Sequence, residues 1–486
     1  MVLSRAHKGT TAELDGPLSQ AAASPPAVRN PLRWGVFAVV IAANIMDLMD
    51  ATIVNVAGPS IRTALGGSAS TLQWLAAGYT LALAVFLFAG ARLGDMYGRR
   101  RMFLIGSVGF TVMSAACAIA PSMGALIAFR VLQGAFGALM VPQGFGMLKE
   151  VFAEDEMGKV FGAFGPMMGL SMLAAPVLAG ALVQANLWGI GWRLVFLINV
   201  PIGIATLVGG LRVLPRTVAH PGIRLDKVGM LLIGAALTGL IYPLIQGQTD
   251  GWPAWTFVTL AGGAVLLVAF VVWERRTSTD PLIEPGLLVN RTYTSGILVA
   301  LAYFGAFSGL LLCVSLFVQL GEGFSPIHAG LTLTSMVVGM LVGMGGGFAV
   351  VARLGRHLLH LGVSVIAAGT VTLALTVTGA QSVSAWDLAP SLFLIGVGAG
   401  ASLGQLFDFI MASVGLDDVG SASGVLEAVQ QLSSALGVAV LGTVFFAAFG
   451  AHLPTQALAI TAWACLAPLA LTFVLLFKLP MHAREK

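Results

Sequence analysis

Apolar stretches of about twenty residues follow one another from Trp34 to Phe477, broken only by short polar and often basic turns. A helix rises about 1.5 Å per residue, so each stretch can cross roughly 30 Å of hydrocarbon, where a backbone must satisfy its own hydrogen bonds. A chain written this way is confined to a bundle of membrane-spanning helices. Only 9% of its residues are charged, against roughly 25% in soluble domains. Fourteen such stretches are read from the sequence, which predicts an all-α integral membrane protein with fourteen transmembrane helices.

The charges say how such a bundle lies. With the amino terminus inside, the cytoplasmic turns hold Arg92, Arg99, Arg100, Arg101, Lys149, Lys159, Arg212, Arg275, Arg276, Arg353 and Arg356, whereas the opposite turns hold only Arg62 and Arg193. The excess of Lys and Arg on one side predicts a multi-pass protein of the cell membrane with both termini cytoplasmic. The net charge of +4 and pI near 9.1 are therefore a matter of orientation, not of nucleic-acid binding. Residues 1–33 are Ala/Pro/Ser-rich without an apolar core segment and are expected to be a disordered cytoplasmic tail rather than a signal peptide. Cys117, Cys313 and Cys465 each fall inside an apolar run without CxxC spacing, which points to packing rather than to a disulfide framework or a metal site. The 61 glycines are spread through the same runs, where small residues let helix backbones approach.

The turn Ala91-Arg92-Leu93-Gly94-Asp95-Met96-Tyr97-Gly98-Arg99-Arg100-Arg101 after the second run is partly repeated after the tenth as Ala352-Arg353-Leu354-Gly355-Arg356-His357. Repetition at that interval predicts two pseudo-symmetric six-helix bundles, residues 34–213 and 291–477, with two helices inserted between them in 214–290 and a cytoplasmic tail over 478–486.

Two carboxylates, Asp47 and Asp50, sit inside the first run, and Arg130 sits inside the fourth. A charge at mid-bilayer costs at least ~2.5–3.5 kcal/mol, so such residues face a protein interior or a water-filled cavity. Counting helix rise puts Asp50 ~12 Å and Arg130 ~10 Å below the outer surface, which allows them to pair, and Asp47 ~16 Å below it. A buried carboxylate beside an arginine can change its protonation with access to water or an arriving cation, as proton exchange needs. The plainer roles open to these groups are those of helix staples. Asp408 and Glu427 are the other acids within runs, both expected near cytoplasmic ends. Gln133, Gln405, Gln430 and Gln431 could bond a substrate or tie helices together.

At these residues the chain resembles the major facilitator superfamily, and within it the fourteen-helix drug:proton antiporter branch. The turn Leu93-Gly94-Asp95-Met96-Tyr97-Gly98-Arg99-Arg100-Arg101 is similar to the superfamily signature between helices two and three, with Ala91 and Met96 departing from it. Asp50-Ala51-Thr52-Ile53-Val54-Asn55-Val56-Ala57-Gly58-Pro59 is similar to the branch's helix-one motif, departing at Gly58. Arg130-Val131-Leu132-Gln133-Gly134 matches its helix-four element, and Trp192-Arg193-Leu194-Val195-Phe196-Leu197-Ile198-Asn199-Val200-Pro201-Ile202-Gly203 looks like the start of its helix six. The helix-five antiporter motif is represented by Ala175-Pro176-Val177-Leu178-Ala179-Gly180, with alanine at two glycine positions.

The resemblance implies a transporter, not an enzyme, that exports amphipathic and often cationic drugs or metabolites by alternating access. Asp50, Arg130 and Asp47 would couple protons, Asp47 and Gln133 would line the substrate cavity, and Asp95, Gly98, Arg99 and Arg100 would form a cytoplasmic gating loop. Pro176 and Gly180 would pack helix five. A narrow exporter of one endogenous metabolite or antibiotic, and an uptake symporter, remain as alternatives. No cofactor is expected: a proton crossing about 100 mV and one pH unit releases ~3.7 kcal/mol, and the chain has no phosphate-binding loop. The expected partners are small-molecule substrates, protons and lipid, with the protein a monomer.

Overall fold

A computed structural model describes residues 31–152, 154–216, 225–277, 281–283, 285–412, 414 and 419–481. Most of the amino-terminal tail and the last five residues lie outside these. Fourteen long helices run through the described residues. The first six are α1 (Arg33–Leu65), α2 (Ala69–Tyr97), α3 (Arg99–Ala118), α4 (Met123–Val151), α5 (Glu154–Ala185) and α6 (Asn199–Val213). Then come α7 (Lys227–Thr249) and α8 (Ala254–Arg276), followed by α9 (Arg291–Leu316), α10 (Pro326–Leu354), α11 (Arg356–Val377), α12 (Ala385–Met411), α13 (Val419–Ala451) and α14 (Pro454–Leu476). Among the described residues, thirteen spans are long and apolar enough to cross a membrane, and α5 adds the shorter apolar stretch Ala174–Ala185. The all-helical membrane architecture expected from the hydropathy is the one observed.

Local chemistry sets several helix starts. Asn290 accepts from the backbone N–H groups of Thr292 and Tyr293 at 3.0 and 3.1 Å, and Ser384 and Asp387 close a reciprocal capping box on α12. Each satisfies amides that a first turn leaves without partners, which matters most where water is scarce. Single glycines join α2 to α3 and α10 to α11: Gly98 has φ 93° and Gly355 φ 49°, a region that L side chains rarely enter. The sequence repeat aligns Gly355 with Gly94, but the helix break falls one turn later in the first copy, so Gly98 is the structural counterpart. Arg100 and Arg356, at the following helix starts, repeat the relationship. Arg100 donates to the carbonyl of Leu211 at the end of α6 (2.6 Å), and Arg356 to those of Phe477 and Leu479 beyond α14 (3.0 and 2.6 Å). Cations suit these carbonyl-rich helix ends.

Within each set of six, the packing follows one plan. α2 lies on α4 as α10 lies on α12, α3 on α4 as α11 on α12, and α1 on α5 as α9 on α13. Between the sets, α2 packs on α13 and α5 on α10, an exchange of equivalent helices. α7 rests on α2 and α13, while α8 touches α7 and turns Phe257, Val258 and Val265 outward, as a lipid-facing helix does.

The two sets meet closely at the end of the bundle away from Gly98. A Cβ placed on Gly180 would come within 2.4 Å of the Pro326 carbonyl oxygen, and one on Gly330 within 2.4 Å of that of Pro176. Only glycine lets α5 and α10 approach so far. Pro59 lies inside α1 and supplies no N–H to the Asn55 carbonyl one turn earlier, so that oxygen accepts instead from Ser315 of α9 at 2.9 Å.

Candidate functional site

α1 presents Asp47 and Asp50 one turn apart toward α2, α4 and α6. Asp50 is 1% exposed and Arg130 0%. Their side chains form a direct ion pair through Oδ2 and Nη1. Gln133, three residues after Arg130 on the same face of α4, donates from Nε2 to Asp50 Oδ1 at 3.1 Å and accepts from Arg130 Nη1 at 2.9 Å. Asn199, at the start of α6, donates to Asp50 Oδ1 at 2.6 Å and also contacts Ser114 Oγ at 3.0 Å. Asp50 therefore has both oxygens held by groups from two other helices, an arrangement that can stabilise a carboxylate away from water.

Arg130 completes its surroundings with aromatic faces. Its guanidinium carbon lies 4.2 Å from the Tyr79 ring centroid and 5.9 Å from that of Phe196, while Nη2 has no hydrogen-bond partner. The hydroxyl of Tyr79 donates to Asp47 Oδ1. One aromatic side chain thus touches the arginine with its face and the other acid with its tip. Gly137 of α4 makes room for that acid, since a Cβ there would be 3.3 Å from Asp47 Oδ1.

Glu427 of α13 lies within electrostatic reach of Asp47, with its neighbour Ala428 buried in the apolar cluster built largely by α1 to α4. α13 begins at Val419, so Glu427 stands more than two turns inside the helix, deeper than its place near the start of the apolar run suggests. Gln133 is fully buried, and its amide is taken up by Asp50 and Arg130. Its place is thus in the Asp50 network and not on an open cavity wall.

At the Gly98 end, Asp95 and Arg99 pair at 3.1 Å, and Arg99 reaches Glu150 of α4 at 3.2 Å. Partial burial raises the pKa of Glu150, whose side chain is 40% exposed, while the charge of Arg99 acts against that shift. Asp95, Gly98, Arg99 and Arg100 thereby link α2, α3, α4 and α6, at the end opposite the Gly180–Pro326 and Pro176–Gly330 contacts.

Sequence reading places Asp47, Asp50, Arg130 and Gln133 near one another but passes over Tyr79, Asn199, Ser114 and the position of Glu427. Asn199 falls within a recognisable motif. The other three carry no spacing that marks them.

A buried ion pair between packed membrane helices is an arrangement that secondary transporters use. The family model of the Major Facilitator Superfamily matches residues 40–227 and 223–438, and the chain belongs to that family. It is 47% identical over 442 residues to the "Probable actinorhodin transporter" of Streptomyces coelicolor, covering 90% of this chain and 76% of that protein. It is 34% identical to the puromycin resistance protein of Streptomyces alboniger, covering 90% and 86%. To the multidrug efflux pump LfrA of Mycolicibacterium smegmatis it is 31% identical, covering 89% and 85%. Among solved structures, an auto-inhibited peptide transporter of the POT family matches with a TM-score of 0.67 at 14% identity, covering 91% of this chain and 95% of that one, a likeness of fold alone. The chain is a multi-pass membrane transporter, not an enzyme, and small molecules and the lipid bilayer are its partners.

Proposed function

We propose that the protein exports amphipathic, often cationic antibiotics or related metabolites in exchange for protons. The observation that carries this reading is the buried Asp50–Arg130 pair, bridged to a second acid by Tyr79. Protonation of Asp50 removes the charge that Arg130, Gln133 and Asn199 hold, which loosens α1 from α4 and α6. Loss of that proton restores the pair. Asp47 and Glu427, one from each set of helices, attract the cationic part of a substrate, so loading and helix closure act on the same groups. Gln133 takes part through Asp50 and Arg130.

The two sets, residues 34–213 and 291–477, rock about the cavity between them, with 214–290 as the inserted hairpin. Asp95, Gly98, Arg99 and Arg100 form the cytoplasmic gate, and Pro176 and Gly180 seal the outer end against α10. The excess of basic turns supports placing both termini in the cytoplasm, in the cell membrane, and the protein works as a monomer driven by the proton gradient without a cofactor. A narrow exporter of one endogenous antibiotic is the second reading, favoured by the higher identity to the actinorhodin protein than to the multidrug pump.

The test is transport in proteoliposomes under an imposed pH gradient, comparing the parent with Asp50→Asn, Asp47→Asn and Arg130→Ala over a panel of cationic dyes and polyketide antibiotics. Loss of coupled transport in Asp50→Asn and Arg130→Ala, and loss of cationic substrates in Asp47→Asn, is expected. Full coupling in all three would overturn the mechanism. Activity confined to one compound class would select the narrow reading.

A further inference from the structure

A second pair of carboxylates lies far from Asp47 and Asp50, where the inserted hairpin returns to the bundle. Asp226, just before α7, caps that helix by accepting through Oδ1 from the N–H groups of Val228 and Gly229 at 3.0 and 2.9 Å. Its Oδ2 accepts from Trp273 Nε1 of α8 at 2.7 Å. Glu274, next to that tryptophan, is 0% exposed and accepts through Oε2 from the N–H of Ile283 at 3.0 Å. Its other oxygen, Oε1, is buried and makes no hydrogen bond among the described residues, although the Leu282 N–H lies near enough to act on the carboxylate.

That oxygen and Asp226 meet at Gly229. A Cβ built on Gly229 would be 2.5 Å from Asp226 Oδ2 and 2.7 Å from Glu274 Oε1, so the two oxygens border one small space that only a glycine leaves open. Among the described residues the charged groups that face Glu274 are Asp226 and Arg92, and Arg92 is held by donating to the Pro281 carbonyl. Two carboxylates this close resist ionising together, and a buried acceptor without a donor costs about 1–3 kcal/mol.

We propose that Asp226 and Glu274 form a proton-binding site, in which Glu274 holds a proton on Oε1 and donates it to Asp226 Oδ2. One hydrogen bond then satisfies the orphaned oxygen and cancels the repulsion. A metal ion fits poorly, because Ca²⁺ needs about six to eight oxygen ligands, whereas three of the four carboxylate oxygens already accept protein hydrogen bonds. The site joins the segment before α7, the end of α8 and the segment at Ile283, and Arg92 ties the neighbouring Pro281 to the end of α2. Proton release leaves two facing anions and loosens this junction, which makes the hairpin responsive to the pH at that face of the membrane.

The test uses the full chain in lipid nanodiscs with spin labels at Leu231 and Val289, which are 73% and 75% exposed, the native cysteines being buried. Rising pH should move the parent from a short, narrow distance distribution to a longer, broader one. Glu274→Gln, whose amide can donate where the carboxyl does, should stay short at every pH, and Asp226→Asn should lose the response as well. Infrared spectra at neutral pH should show a protonated-carboxyl carbonyl band in the parent that Glu274→Gln removes. A parent distribution insensitive to pH, an unchanged band in Glu274→Gln, or a short distribution that a chelator abolishes and Mn²⁺ restores would overturn the proton site. None of these readouts requires transport, so they stand or fall apart from the exporter reading.

Discussion

Tyr79 holds Arg130 and Asp47 at once, with its ring centroid 4.2 Å from the guanidinium carbon and its hydroxyl donating to the carboxylate. Tyr79→Phe keeps the ring and removes only the hydroxyl. A hydrogen bond to a charged group contributes about 1.5–3 kcal/mol, so the apparent KM for cationic substrates should change by roughly ten- to a hundredfold if the substrate meets Asp47. Neutral substrates should be affected far less. Tyr79→Ala also removes the aromatic support under Arg130 and should lower the thermal midpoint in detergent more than Tyr79→Phe does.

The Asp50–Arg130 pair separates a structural from a coupling role. Removing one partner leaves a buried charge without its counterion, which costs about 3–5 kcal/mol, whereas removing both avoids that penalty. Arg130→Met alone should therefore melt well below the parent, and adding Asp50→Asn should recover much of the loss. Proton-coupled transport should stay absent in the double variant. Recovery of coupling together with stability would show that the pair only staples α1 to α4.

The hydropathy of the runs makes the helical membrane bundle legible, because a membrane leaves a backbone so few options. Counting residues into helices one and four also puts Asp50 level with Arg130, since depth along a helix follows from its constant rise. Lateral packing has no such rule. Tyr79 is one aromatic residue in an apolar helix, and Ser114 a small hydroxyl of the kind that often bonds its own backbone; their contacts with α1 and α6 depend on helix rotation. Glu427 lies near the start of its apolar run at Gly424, but α13 starts earlier, at Val419, which no hydropathy of the run announces. The repeated turn is readable as a repeat, but its register shifts by one turn because the backbone breaks at Gly98 and Gly355.

Glu150 gives the turn at Gly98 a pH signature. Its folded-state pKa is raised, chiefly by burial, so the folded protein binds this proton more tightly than the unfolded chain does. The stability linked to it is present below the ordinary glutamate value of 4.5 and is lost as pH rises through the folded value. Glu150→Gln should flatten this part of the profile of thermal midpoint against pH. An unchanged slope in that variant would remove Glu150 as its source.

Gln73 of α2 is fully buried where α2 meets α13, and neither its Oε1 nor its Nε2 has a hydrogen-bond partner. A Cβ on Gly442 of α13 would lie 2.5 Å from that Nε2, so the amide is pressed between the two sets of helices at the sealed end. Each unpaired group there costs about 1–3 kcal/mol in the closed arrangement and recovers its hydration when α2 and α13 part. The amide thus works against closure, which suits the proposed mechanism, in which this end opens in every cycle. Gln73→Leu removes both polar groups while filling similar space. The variant should melt higher than the parent and turn over more slowly, with a cysteine placed at this interface reacting less readily with a water-soluble maleimide. A lower melting point together with faster labelling would mean that the glutamine strengthens the seal.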